Sequence, residues 1–322
     1  MTPRERYALV LLACMLGLPA LLDESQLSLY VLCALTAMVT IGVSLLMGQA
    51  GQISLGQGAF YASGAYAAGV LATHGCPTVL ALAVAPFAAA ALAVLVGVPL
   101  LMLRGHHLAF GTLATHLICL SVVGELAITG GDVGLQGIPR LSVGPIAFDS
   151  VRSYAYLSAC ALLGVVLVAR NILASRPGRA LRALSSSELA AASSGIPVGR
   201  YKLAVFALSA AFAGLAGGIY AFYMGYLAPG SFPVLLSVGY VVMATIGGLG
   251  TIAGGVVGSV VVLLLVQGLS RVATTSGMPD SAPVILSYAV YALLLIVSVL
   301  FLPSGVVSIP AAVRRRISGV EP

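Results

Sequence analysis

Three glutamines and one serine, Gln49, Gln52, Ser54 and Gln57, stand among four glycines in the stretch GQAGQISLGQGAF, residues 48–60, with apolar sequence on both sides. Amides and hydroxyls donate and accept hydrogen bonds without carrying charge, so their chemistry is solute handling and not acid–base or covalent catalysis. Other chemical candidates are few. His106, His107 and His116 have no Cys or acid at metal-ligand spacing and no H-E-x-x-H pattern. His106 and His107 beside Arg104 read as a helix end, and His116 as a hydrogen-bonding group inside a bundle. YASG (61–64) is not G-x-S-x-G, and TGGD (129–132) has no second intramembrane aspartate to accompany it. No catalytic residue is assigned, and an enzyme is not expected. The single lysine, Lys202, is followed by Leu203, which excludes a P-loop. Glu125 is the sole acid near the interior of a span, and an interfacial position explains it without ion coupling.

The elements that must position these residues are membrane helices. Of 322 residues, 60% are hydrophobic and 7% charged, too few charges for a chain folded around one aqueous core. Apolar stretches recur near 7–22, 27–47, 58–73, 79–103, 107–128, 154–169, 203–223, 235–249, 252–270 and 284–302, each close to the roughly 20 residues a spanning helix needs. Runs such as VVGSVVVLLLVQGL (256–269) are apolar on every side, unlike the alternating strands of an outer-membrane barrel. The expected fold is all-α: a polytopic transmembrane helical bundle of about ten spans, one integral membrane domain over residues 1–322. Only seven residues separate Arg6 from Cys14, so the start reads as a first span and not as a cleaved signal. The five cysteines are scattered with no C-x-x-C pair and read as packing residues.

Charge orients the bundle. With the N-terminus inside, Arg4, Arg6, Arg104, Arg170, Arg176, Arg179, Arg182, Arg200, Lys202 and Arg314 to Arg316 are cytoplasmic, and only Arg140, Arg152 and Arg271 lie outside. That bias places both termini in the cytoplasm. It also accounts for the net charge of +6 without a nucleic-acid partner.

Two readings of residues 48–58 are open. Irregular backbone at membrane depth survives where it lines a cavity, whereas a glycine-rich turn would put the same glutamines in water. A second glycine-rich break, IGGLGTIAGGVVGS (246–259), also separates an inward from an outward span. Gly250, Gly254 and Gly258 fall four apart, as do Gly214 and Gly218, the spacing of close helix contacts. The polar segment 170–202 is expected inside, with Ser185 and Glu188 in the S-x-x-E spacing of a capping box and a short helix ending near Gly195 and Pro197.

MGQAGQISLGQGAFYASGAYAAGVL (47–71), TGGDVGLQGIP (129–139), GRALRALSSSELAAASSGIPVGRYKLAVFALSAAFAGLAGGIYA (178–221) and SVGYVVMATIGGLGTIAGGVVGS (237–259) together resemble the permease subunits of branched-chain amino acid ABC transporters. The resemblance implies a subunit of the bacterial inner membrane, paired with a second related permease. It further implies a periplasmic solute-binding protein that delivers leucine, isoleucine or valine, and two cytoplasmic ATPases that use the ATP, with no cofactor in this chain. On that resemblance Gln49, Gln52, Ser54 and Gln57 line the substrate pathway. Arg179, Arg182, Glu188 and Gly195 belong to a coupling segment within 170–202 that meets the ATPase, and Asp132 contacts the binding protein. SSSE (185–188) carries less charge before its Glu than relatives do. Urea and short-amide permeases are close relatives, and an autonomous channel for a small neutral solute is the alternative from another class.

Overall fold

The computed structural model describes residues 17–273 apart from Arg104 and Pro145, together with Ala289 and Leu293. Most of the first expected span, the whole expected span 284–302 except those two residues, and both termini lie outside the described residues.

The eight other expected spans coincide with helices. They are α1 (Glu24–Ala50), α2 (Gln57–Thr73), α3 (Thr78–Leu100), α4 (His106–Glu125), α5 (Val151–Ala174), α8 (Val198–Met224), α9 (Val234–Gly247) and α10 (Ile252–Ala273), with the short helices α6 (Arg176–Ser186) and α7 (Glu188–Ser193) between α5 and α8. Among the described residues seven helices are long and apolar enough to cross a membrane, α9 counting with the turn before it. α2, at 17 residues, is shorter. The stretch expected over 154–169 is longer than its hydropathy suggested, because Ser150 caps α5 by accepting from the Ser153 amide at 3.2 Å.

α1 and α8, 27 residues each and thus about 40 Å long, form the centre and are mostly buried within the chain. α3, α4, α5 and α10 surround them and leave most of their apolar surface uncovered, as helices facing lipid or another membrane subunit do. Small residues set the closest approach. Ala81, Ala85, Ala89 and Ala93 are fully buried along one face of α3, and opposite them Gly214 and Gly218 of α8 leave no room for a Cβ against Ala89 and Ala85. The spacing of Gly214 and Gly218 therefore does mark a contact. Gly254 and Gly258 likewise pack on α9, at Gly247 and Met243. Gly250 does not belong to that row: it precedes α10, at φ +76°, in the turn.

At one end of the bundle, residues 126–150 fold back over the helix ends. Leu135 and Leu227 exchange backbone bonds at 2.7 and 3.0 Å, a two-residue hairpin pairs Ser142 with Ala147, and the Tyr154 hydroxyl donates to the Phe222 carbonyl at 2.9 Å. At the other end α6 and α7 pack across the bundle through Leu181, Leu184 and Ala191.

Candidate functional site

The site begins where α1 stops. Gly51 takes the left-handed conformation at φ +63° and ends the helix. Residues 51–56 run without helix, and α2 starts at Gln57. Gly48 and Gln49 are still helical, so the break is shorter than the glycine spacing implied. Its amides are held by side chains from distant helices. The Leu55 N–H donates to Thr112 Oγ1 at 2.9 Å, and the Gly58 N–H to Ser237 Oγ at 2.8 Å. Ser237 Oγ lies 3.0 Å from His116 Nδ1, and His116 Nε2 lies 3.2 Å from the Phe232 carbonyl.

A neutral imidazole satisfies this whole chain: Nε2–H donates to Phe232, and Nδ1 accepts from the Ser237 hydroxyl, whose oxygen accepts from Gly58. His116 and Ser237 are fully buried. Phe232 is fixed in turn by its ring, with Tyr61, Tyr66 and Tyr220 centroids 5.7, 5.9 and 6.0 Å away. His116 sits near the middle of α4, so the start of α2 lies deep in the bundle and not at its surface.

This placement takes Gln52 and Gln57 out of bulk water and leaves Gln49 partly buried. Gln52 and Gln57 are 2% and 0% exposed. Both amide atoms of each, and Gln49 Oε1, are buried with no hydrogen-bond partner among the described residues. Leaving a buried amide group unpaired costs about 1–3 kcal/mol, a cost that the described residues do not offset at this cluster. Ser54, also buried, accepts from the Gly56 N–H at 3.3 Å. It shapes the break locally.

The second glycine-rich break meets the first. Ser44 Oγ donates to the carbonyls of Gly248 and Thr251 at 3.3 and 3.1 Å, the Gly250 N–H donates to the Ser44 carbonyl at 3.0 Å, and Gln49 Nε2 donates to the Gly250 carbonyl at 3.1 Å. A Cβ on Gly48 would collide with the Gly250 backbone, whereas Gly250 is held to glycine by its φ of +76°.

Segment 175–197 corrects one sequence expectation. The cap of α7 is Ser187, which accepts from the Ala190 amide at 3.3 Å, while Ser185 lies inside α6. Glu188 is therefore free of the capping-box role and forms an ion pair with Lys202 of α8. Arg179 and Arg182 are exposed, and Arg182 Nη1 donates to the Leu173 carbonyl at 2.9 Å, covering the end of α5. Gly195, exposed at φ +80°, turns the chain into α8.

Gln52 and Glu188, chosen from distant parts of the sequence, line one cavity of about 560 Å³. Asp132 does not join them: it is exposed beyond the C-terminal end of α4, whereas the cavity reaches Gly105 at the start of that helix. Glu125, at the last residue of α4, is exposed. Sequence reasoning did not find Thr112, Ser237 or Ser44, and it gave His116 no particular partner. The available signal was a threonine and a histidine four apart, on one face of an apolar helix.

Residues 25–299 match the family described as the branched-chain amino acid transport system permease component. The chain belongs to this family. It is a family of transporter permeases, not a class of enzymes. Among curated relatives, the high-affinity branched-chain amino acid transport system permease protein LivM of Escherichia coli strain K12 is 30% identical over 273 residues, covering 77% of this chain. The LivM protein of Salmonella typhimurium strain LT2 is 29% identical over 273 residues, again 77% of this chain. The chain spans 64% of the length of these two relatives. No solved structure matches it. The permease is thus an integral membrane protein of helical fold, with the polar break inside its bundle.

Proposed function

We propose that this chain is the membrane-spanning subunit of an ABC importer and forms the translocation pathway for branched-chain amino acids. The observation that carries this reading is the break at residues 51–57, where the unpaired amides of Gln52 and Gln57 are buried deep in a permease-family bundle. Gln49, Gln52, Ser54 and Gln57 are the pathway residues, with Ser54 shaping the break and the glutamines meeting solute.

The supporting picture is a bundle of about ten spans with both termini in the cytoplasm of a bacterium, set in its inner membrane. Segment 170–202 is then cytoplasmic, and Arg179, Arg182, Glu188 and Gly195 meet one of two ATPase subunits, which use the ATP. The exposed face of α7, with Leu189 83% exposed, supports a protein contact there. Asp132, on the opposite end, meets the periplasmic binding protein. A second homologous permease covers apolar helix surface left open in this chain. No cofactor resides in this chain, and it performs no chemistry on its solute.

The test is uptake of labelled leucine by cells with and without the gene, under ATP depletion and separately with a protonophore while ATP is maintained, with excess unlabelled urea as competitor. Gene-dependent uptake that fails only without ATP and ignores urea is the expected result. Uptake that survives ATP depletion would identify an autonomous facilitator, and competition by urea would move the substrate to short amides.

A further inference from the structure

The cavity that joins the break to α7 has a composition the pathway reading alone does not explain. Its walls include Gln52 and Ile53 from the break, Leu101 and Leu108 at the α3–α4 link, and the Glu188–Lys202 ion pair across α7 and α8. At about 560 Å³ it falls within the roughly 300–1,000 Å³ of small-molecule sites. The lining combines both charges of the ion pair with Leu101, Leu103, Leu108 and Leu189, while the Gln52 amide is buried beneath it with no partner among the described residues.

We propose that this cavity is a release-side subsite for an α-amino acid zwitterion with a branched aliphatic side chain. Its carboxylate engages Lys202, its ammonium group engages Glu188, whose 57% exposed side chain also reaches the ATPase face, and the side chain lies on Ile53, Leu101 and Leu108. This assignment rests on the importer reading and names where the solute pauses before entering the cytoplasm.

The charge arithmetic favours such a guest. A zwitterion inserted into an ion pair exchanges one pairing for two and leaves the cavity neutral, while urea or a sugar leaves the pair unused. Opening the pair is inexpensive, because the Lys202 and Glu188 side chains are 19% and 57% exposed, and partly exposed pairs contribute only about 0–1 kcal/mol. A site of this kind binds weakly and releases readily, as an exit requires.

The experiment uses the full chain co-expressed with its partner subunits in membrane vesicles, its five native cysteines replaced by alanine and Ile53→Cys introduced. Ile53 is 41% exposed, so N-ethylmaleimide reaches it. Leucine at about four times its Kd is expected to slow modification about fivefold, since one plus the ratio of leucine concentration to Kd is then about 5. Leucinamide, which lacks the carboxylate, and 4-methylpentanoate, which lacks the ammonium group, are expected to give no protection at the same concentration. Lys202→Gln is expected to cancel protection by leucine. Leu103→Cys, also in the cavity lining, serves as reporter if the first variant fails to assemble. Vesicles that accumulate leucine while modification ignores it would overturn the subsite and leave the importer reading intact. Protection without any leucine uptake would retain the subsite and overturn the importer reading. Equal protection by leucinamide, or protection only by the docked ATPase subunit, would show the cavity to be something other than a zwitterion site.

Discussion

The two glycine-rich breaks have similar sequences and opposite internal economies. At 248–251 the backbone is tied down: Ser44 and Gln49 hold three carbonyls, and the Gly250 N–H returns to Ser44. At 51–57 the backbone is tied down as well, by Thr112 and Ser237, yet the side chains of Gln52 and Gln57 are left unpaired. Glycine content alone therefore does not make a pathway. It makes a break, and what the neighbouring helices leave unsatisfied decides whether the break is a joint or a surface for solute.

If the second break is a joint, bulk inserted between it and α1 carries the largest cost in stability. Gly48→Leu forces a side chain against the Gly250 backbone and is expected to destabilise the bundle by about 3 kcal/mol. Thermal unfolding of the detergent-solubilised chain, followed by loss of the monodisperse chromatographic peak, reads the effect. A wild-type melting temperature would mean that the two breaks are not packed together.

His116→Ala comes next, at about 2 kcal/mol, since it leaves Ser237 and the Phe232 carbonyl without their partner and opens a small void. The same thermal assay checks it, and uptake per folded molecule is expected to fall too, because the start of α2 loses its anchor. Wild-type uptake in a destabilised His116→Ala chain would assign the histidine to packing alone.

The helical class, the positions of eight of the described helices and the polar break were legible in the sequence, because they depend on local hydropathy and on glycine, which act within a few residues. What was not legible depends on pairings across long separations. Nothing near Ser237 announces that it caps a helix 179 residues earlier, and a lone serine in an apolar run is common. Glu188 shows the converse. Its local S-x-x-E pattern was sufficient to suggest a capping box, but Ser187, two residues beyond Ser185, is the cap, and Glu188 pairs with Lys202. Gln52 was picked for its residue type, and its significance emerged only when the fold enclosed it together with that ion pair.

Ser44→Ala and Gln52→Leu sharpen the contrast between joint and solute surface where stability effects are small. Ser44→Ala removes two bonds to the second break, and interhelical polar bonds inside membrane bundles average about 0.6 kcal/mol each. A loss of about 1 kcal/mol follows, with uptake per folded molecule unchanged, because no solute group is touched. Gln52→Leu replaces a buried amide that has no partner among the described residues by an apolar side chain of similar size. The expected change in stability is within about 0.5 kcal/mol, since no bond is lost and desolvation of the amide is relieved. Uptake is nevertheless expected to fall about tenfold, the equivalent of about 1.4 kcal/mol, because on the pathway reading the solute loses a hydrogen-bonding group. The two variants thus separate in opposite senses, one paying in stability and the other in transport. A Gln52→Leu chain that folds and transports like the wild type would make the first break a joint like the second, and the pathway would have to be sought elsewhere in the bundle.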